Sequence, residues 1–144
     1  SDAPAAYEQA VLDFGEKVGV AFQLLDDVID LSADAEETGK VPGTDLRAGV
    51  PTMPYLLLGR ADDPASRSLK ATIDDGVARI ADGADPAILD EPLGRLREHD
   101  ATEATRRLAV EWSEAAVAAL EALPDGPVRE ALTRFAQVVV DRSH

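Results

Sequence analysis

Three aspartates within an apolar stretch are the residues of this chain best suited to chemistry. Asp26, Asp27 and Asp30 follow directly on Phe22–Leu25. On a helix, Gln23 and the three carboxylates fall at i, i+3, i+4 and i+7, which is one stripe of the surface. Like charges at this spacing repel each other, so a cation would offset their repulsion, and hard oxygen ligands favour Mg²⁺. The pattern predicts a Mg²⁺ site with these three aspartates as ligands.

A solvated acidic helix face is the plain alternative to a metal site. The neighbours of the acids are large and apolar, namely Phe22, Leu24, Leu25, Val28, Ile29 and Leu31. A helix with such neighbours is largely buried, so its carboxylates must face either a cavity or a partner. This composition favours a metal or polar-ligand role.

A segment rich in glycine and proline follows the carboxylates. We predict a loop over Ser32–Val50 on this composition. Lys40 lies within it and could add positive charge to an anion that metal ions hold against the aspartates. Gly43 can expose backbone N–H groups, and Asp45 can orient either Lys40 or Arg47.

The elements that must position these residues are helices, because apolar residues recur at helical spacing without the strict alternation of strands. We therefore expect an all-α helical bundle, with residues 1–144 packed as a single domain. The predicted helices run from about Pro4 to Leu31, Pro51 to Leu58, Ala65 to Ala81, Pro86 to Glu98, Ala101 to Leu123 and Val128 to Asp141.

Spacing also predicts which side chains are buried. The first helix should bury Val11, Phe14, Val18, Phe22, Leu25 and Ile29. Gly15 and Gly19 lie one turn apart and would let a neighbouring helix or an apolar ligand approach the backbone, and we favour helix packing. Trp112 is expected in the core. His99 and His144 lack acidic or histidine neighbours at ligand spacing, so we expect both on the surface.

Composition excludes several classes of function. The 144 residues carry 14 basic and 28 acidic side chains, a net charge of −14, which argues against nucleic-acid and anionic-membrane partners. No apolar run reaches the roughly 18 residues of a membrane span, and we expect no stable membrane insertion. There is no cysteine, so we expect a cytoplasmic protein without disulfides. No Ser-His-Asp arrangement, phosphate-binding glycine loop or dinucleotide motif is present.

Two stretches carry a resemblance to a known family. Gly19–Asp30 and Gly39–Pro54 combine a Phe-Gln-x-x-Asp-Asp-x-x-Asp helix with a Gly-Lys…Gly-x-Asp-Leu-Arg loop and a Thr-x-Pro helix start. Together they resemble the second aspartate-rich motif of trans-isoprenyl diphosphate synthases, also called polyprenyl synthetases. The closing stretch Phe135–Ser143 looks like the end of such enzymes. The resemblance covers nearly the whole chain.

This resemblance implies a helical bundle around a deep cavity, and an enzyme that joins isopentenyl diphosphate to an allylic diphosphate with loss of pyrophosphate. Asp26 would be the principal ligand of a Mg²⁺ ion on the allylic diphosphate, with Asp27 and Asp30 assisting directly or through water. Lys40 would contact that diphosphate. Phe22–Gln23 would lie beside the reacting carbons and stabilise the allylic cation.

The chain also departs from the family pattern. No second Asp-Asp-x-x-Asp run exists, because Asp62-Asp63 and Asp74-Asp75 lack the third acid. The basic residues that hold isopentenyl diphosphate are missing too. We therefore expect the C-terminal half of a synthase, inactive on its own, whose uncovered apolar face makes it self-associate, most simply as a homodimer. The alternatives are a non-catalytic diphosphate-binding or interaction subunit, and a prenyl transferase or cyclase that acts on another acceptor.

Overall fold

Helices account for all regular secondary structure in the described part of the chain. A computed structural model describes residues 3–32 and 41–142. The α-helices are α1 (Ala3–Ser32), α2 (Thr44–Arg47), α3 (Met53–Leu58), α4 (Pro64–Ala81), α5 (Asp90–Arg97), α6 (Asp100–Ala119) and α7 (Pro127–Asp141), with 3₁₀ turns at Pro86–Leu89 and Leu120–Ala122. These residues contain no strand, and the predicted all-α class is confirmed.

The helices are distributed over two compact units, and α1 contributes to both. The terminal unit consists of the described residues up to Leu25 and from Arg106 onward. The middle unit runs from Asp26 to Thr105 and contains the aspartates of the predicted metal site. The single domain expected from the sequence stays a prediction.

Local side-chain chemistry sets the start of α4. The Asp63 carboxylate accepts a hydrogen bond from the Ser66 amide at 3.0 Å and one from the Ser66 hydroxyl at 2.7 Å. Pro64 takes the first helical position, where its missing N–H costs nothing. At the other end, Gly83 adopts a φ of 104° and its amide bonds back to the Ile80 carbonyl at 2.9 Å. The helix therefore ends one residue after Ile80.

A leucine-rich core holds the middle unit together. It consists of Leu31, Leu46, Leu58, Leu69, Ile73, Leu89, Leu93, Leu96 and Ala101, all buried. One close approach in this core is at Gly76 of α4, where an added Cβ would lie 2.4 Å from the Cδ2 atom of Leu89. A side chain at that position would therefore require the buried Leu89 side chain to shift. Leu69 and Ile73 of α4 are both part of this core.

The buried face of α1 differs in part from the predicted stripe. Phe14, Val18 and Leu25 are buried as expected, whereas Val11 and Phe22 are 43% and 44% exposed. In place of Val11 and Phe22, the helix buries residues next to them in sequence or in neighbouring turns, namely Ala10, Ala21, Leu24, Val28 and Leu31. Hydrophobicity ranks valine and phenylalanine above alanine, but closely packed elements favour the smaller side chain at the contact.

The part of α6 that begins at Arg106, together with α7, completes the terminal unit. Within that unit the buried positions of the two helices are mostly small, namely Ala109, Ser113, Ala116, Ala136 and Val139. The Ser113 hydroxyl donates to the Ala136 carbonyl at 3.3 Å, which ties the two helices together. Trp112 is 39% exposed, so its predicted place in the core is wrong. No helix among residues 3–32 and 41–142 is long and apolar enough to cross a membrane.

Candidate functional site

The predicted metal ligands lie in the last two turns of α1. Asp26, Asp27 and Asp30 are each half-buried, between the buried Leu25, Val28 and Leu31. Phe22 and Gln23 belong to the preceding turn of the same helix and are exposed. Lys40 and His144 lie outside the described residues. The structure therefore describes the helical half of the motif and the part of its loop that begins at Val41.

Asp30 caps a short helix that the sequence did not predict. Its carboxylate accepts hydrogen bonds from the backbone amides of Thr44 and Asp45, the first two residues of α2. The Gly43 amide also donates to the backbone carbonyl of Asp30 at 2.9 Å. These bonds join the end of α1 to the start of α2 and fix the orientation of the Asp30 side chain.

Gly43 makes this junction possible. Its φ of 74° is in the left-handed region, which side chains with a Cβ disfavour. A Cβ on this residue would also lie 2.4 Å from the Cδ1 atom of Leu93, a buried core residue. The glycine of the Gly-Thr-Asp sequence is therefore required both for its backbone conformation and for space.

Asp27 is held by a third helix. The Met53 amide at the start of α3 donates to Oδ2 of Asp27 at 2.9 Å. The preceding Thr52 provides no side-chain cap, so Asp27 satisfies one of the first amides of α3. The Thr52 hydroxyl is buried and has no hydrogen-bond partner among the described residues. Asp27 and Asp30 are thus each oriented by backbone donors from a neighbouring helix.

Burial and like charges shape the electrostatics of Asp30. Burial raises the pKa of this carboxyl above its ordinary value, and the charge of Asp45 raises it further. The amides of Asp45 and Thr44 act in the opposite direction, and Asp27 adds a smaller repulsion. Asp45 thus joins Asp26, Asp27 and Asp30 as a fourth carboxylate of the acidic group, a role that its sequence context did not predict. No local pattern shows this approach, because it depends on the contact between the end of α1 and the start of α2.

The donor chemistry of this group fits a hard divalent cation. All of its candidate ligands are carboxylate oxygens, and each carboxylate has about four acceptor positions, so the amide bonds leave room for a metal. A cation would also relieve the repulsion among Asp27, Asp30 and Asp45. Within residues 3–32 and 41–142, however, no three or more acidic, histidine or cysteine side chains converge closely enough to hold a metal ion.

Arg47 of the Asp-Leu-Arg sequence has a structural role in the fold. Its guanidinium group is buried and donates to the Pro42 carbonyl at 2.8 Å and to Asp90 at 2.9 Å. It also donates to the Pro86 carbonyl. These bonds hold the segment before α2 against the start of α5. Arg47 therefore stabilises the segment around Gly43 and α2, whose amides bind Asp30.

A serine, a histidine and an aspartate meet elsewhere in the middle unit without forming a nucleophilic triad. The Ser66 oxygen lies 2.8 Å from Nε2 of His99, and the Ser66 hydroxyl donates to Asp63. Nδ1 of His99 accepts the Ala101 amide at 2.9 Å, so the neutral ring carries its proton on Nε2. Serine thus donates to the carboxylate and accepts from histidine, which is the wrong direction for an activated serine. His99 is half-buried, at the edge of the surface position predicted for it.

The face of α1 that precedes the acids is open. A Cβ added at Gly15 or Gly19 would meet no atom within 4 Å, so no described helix packs there. The predicted helix packing at these glycines is therefore not observed. Phe22 is covered on one side by Arg142, whose guanidinium carbon lies 4.2 Å from the ring centroid.

Comparison with protein families and known proteins places the chain among isoprenoid enzymes. The family model for polyprenyl synthetase matches residues 1–84. Octaprenyl diphosphate synthase from Escherichia coli (strain K12) is 37% identical over 136 residues, which cover 94% of this chain and 40% of that protein. Nonaprenyl diphosphate synthase from Mycobacterium tuberculosis is 35% identical over 128 residues, which cover 89% of this chain and 36% of that protein.

Solved structures give the same result. Polyprenyl synthase from Caulobacter crescentus CB15, crystallised with calcium and isoprenyl diphosphate, matches with a TM-score of 0.80 and 31% identity over 97% of this chain and 41% of that one. Geranylgeranyl pyrophosphate synthase from Corynebacterium glutamicum, also with calcium and isoprenyl diphosphate, matches with a TM-score of 0.75 and 34% identity over 93% of this chain and 40% of that one. The chain spans about 40% of the length of these relatives. It belongs to the polyprenyl synthetase family.

Proposed function

We propose that the protein containing this chain is a Mg²⁺-dependent trans-prenyltransferase that condenses isopentenyl diphosphate with an allylic diphosphate. The observation that carries this proposal is the set of oriented carboxylates at the end of α1, with Asp27 and Asp30 each bonded to backbone amides. The family membership of the chain supports the choice of reaction. Because the chain spans about 40% of the length of its relatives, the activity is proposed for the complete protein, and this chain alone is proposed to be inactive.

The aspartates are proposed to hold the metal ions on the allylic diphosphate, with Asp26 as principal ligand and Asp27 and Asp30 as further ligands. Backbone amides from α2 and α3 fix Asp30 and Asp27 before substrate binds, so little reorganisation is needed in the reaction. Lys40 is proposed to contact the same diphosphate. Phe22 and Gln23 are proposed to lie beside the reacting carbons.

Each group has a physical task in the proposed reaction. When the C–O bond of the allylic substrate breaks, negative charge builds on the leaving pyrophosphate and positive charge on the allylic carbons. Bound Mg²⁺ supplies stabilisation of the pyrophosphate charge. The Lys40 ammonium group adds to it, while the ring face of Phe22 and the amide oxygen of Gln23 stabilise the carbocation.

The homodimer is a further part of this proposal. It is supported by large apolar side chains that remain exposed in the terminal unit, among them Val11, Leu12 and Phe135. Surfaces of this kind mark protein contacts. The cytoplasmic location stays a prediction.

A non-catalytic diphosphate-binding or interaction subunit is the second candidate. It is favoured by one observation, namely that no three acidic, histidine or cysteine side chains in the described part of the chain form a metal-holding group.

An assay of the full-length product of the reading frame that contains this chain separates the two candidates. We expect elongation of an allylic diphosphate by labelled isopentenyl diphosphate in the presence of Mg²⁺. Asp26→Asn should lower kcat by about 100-fold or more, because it removes a charge that holds the metal. Asp75→Asn, an equivalent change on the exposed face of α4, should leave kcat unchanged. Absence of elongation by the unaltered protein would contradict the enzyme and favour the second candidate.

A further inference from the structure

The middle unit contains a surface pocket that is separate from the acidic group. It has a volume of about 340 Å³ and is lined by Leu46, Gly49, Pro51, Tyr55, Asp74 and Val77. None of the three α1 aspartates belongs to its lining. A volume of this size is at the lower end of the range of pockets that hold small molecules.

The pocket walls are mainly apolar. Leu46 is buried and Val77 is half-buried against the leucine core, so their exposed edges form a fixed floor. Gly49 adopts a φ of 85°, and its amide donates to the Leu46 carbonyl at 2.9 Å, which holds the backbone at the rim. The floor therefore presents apolar surface that a ligand of matching shape could remove from water.

The polar end of the pocket consists of hydrogen-bond acceptors. The Tyr55 hydroxyl donates to Oδ1 of Asp74 at 2.6 Å, and the Lys70 ammonium group donates to Oδ2 at 2.7 Å. Tyr55 has thereby used its only donor, while its oxygen and the Asp74 carboxylate retain acceptor positions. Although burial disfavours its charged form, the bonds from Lys70 and Tyr55 lower the pKa of Asp74, which is thus ionised at neutral pH.

Lys70 limits the charge of a ligand. Its Nζ atom is bonded to Asp74 and also lies 5.4 Å from the centroid of the Tyr55 ring. A cationic ligand at Asp74 would meet this ammonium group at close range, and an anionic ligand would meet the carboxylate. A neutral donor, such as a hydroxyl group, avoids both repulsions.

We propose that this pocket is a binding site for a compact, neutral, mainly apolar molecule that carries one hydroxyl donor. The apolar body lies on Leu46 and Val77, and the hydroxyl donates to Asp74. This site goes beyond the proposed prenyl transfer and does not depend on it, because its residues and chemistry are distinct from those of the acidic group.

An NMR titration of the ¹⁵N-labelled chain tests the proposal with para-cresol as probe and 4-methylanisole as a control of similar shape that lacks the donor. We expect saturable shifts of the Gly49 and Val77 amides with para-cresol. Binding of 4-methylanisole should be about tenfold weaker, since a hydrogen bond to a charged group is lost. Equal affinity for the two probes, or shifts that do not saturate, would overturn the proposal.

Two pairs of variants localise the binding. Val77→Trp fills the pocket and should abolish the shifts, whereas Val138→Trp, the same change at an exposed site on α7, should not. Asp74→Ala should weaken para-cresol about tenfold and leave 4-methylanisole unchanged, whereas the neighbouring Asp75→Ala should affect neither. Wild-type affinity in both Val77→Trp and Asp74→Ala would overturn the site. The Asp74 pair decides the outcome if Val77→Trp does not fold.

Discussion

Gly43→Ala is the substitution for which the structure gives the most definite cost. The left-handed φ of 74° costs about 1–2 kcal/mol for a residue with a Cβ. The Cβ would also overlap the Cδ1 atom of Leu93 at 2.4 Å, and Leu93 is only 2% exposed, so it cannot turn into solvent. Overpacking of this kind adds about 1–3 kcal/mol. Because Leu93 can relieve part of the overlap by a small shift, we expect the free energy of unfolding to fall by about 2–4 kcal/mol.

Urea unfolding followed by far-UV circular dichroism measures this loss. Native-state hydrogen exchange locates it, because the Gly43 amide is bonded to the Asp30 carbonyl at 2.9 Å and the Gly43 carbonyl accepts the Arg47 amide at 3.0 Å. Both amides should exchange faster in the variant. Gly94→Ala is the matched control. Gly94 lies inside helix α5, where alanine is favoured over glycine by about 0.5–1 kcal/mol, and its added Cβ would meet no neighbouring atom within 4 Å. If Gly43→Ala unfolds at the same urea concentration as the wild type, the reasoning about this junction is wrong.

Three further predictions concern the supports of the middle unit. Arg47→Lys should lower the free energy of unfolding, measured by urea titration, by about 1.5–3 kcal/mol, because a lysine cannot reproduce the buried bonds to two carbonyls and a carboxylate. The control Arg67→Lys, at an exposed ion pair, should change it by less than about 1 kcal/mol. Ser66→Ala should cost about 1–3 kcal/mol and the exposed Ser68→Ala less than about 0.5 kcal/mol, and equal values would contradict the Ser66 network. The Ser66 hydroxyl and then its amide lower the pKa of Asp63 below the ordinary 3.8. Asp63→Ala should therefore reduce Tm at pH 7, and its difference in Tm from the wild type should shrink as the pH falls from about 4 through the lowered pKa. A difference in Tm that grows on acidification would refute the capping role of Asp63.

Helix positions follow from the sequence because apolar spacing and capping residues act locally. The first helix, expected from about Pro4 to Leu31, extends over Ala3–Ser32, and the last, expected from Val128, begins at Pro127. Helix α2 was missed because its four residues lie in a segment of glycine and proline, and its amides are satisfied by Asp30 from outside. A helix this short depends on a tertiary contact that no local pattern reveals.

The ligand roles in the candidate site stay predictions from the motif, and its contacts could not be predicted from the sequence. The motif identified Asp26, Asp27 and Asp30 and the family, but the bond from the Met53 amide to Asp27 and the approach of Asp45 to Asp30 depend on how separate segments pack. Exposure was the weakest inference. Trp112 is exposed, although its size favoured the core, because the contact of α6 with α7 is made by small residues such as Ser113 and Ala136.

The central claim is that the end of α1 forms a metal–diphosphate site, and calorimetry tests it most directly. Pyrophosphate is titrated, with and without Mg²⁺, into the full-length product of the reading frame that contains this chain. We expect saturable binding that requires Mg²⁺, is weakened more than about tenfold by Asp26→Asn and is unchanged by Asp75→Asn. Binding that is independent of Mg²⁺, or that is equally strong in the Asp26→Asn protein, would contradict a metal–diphosphate site at the end of α1.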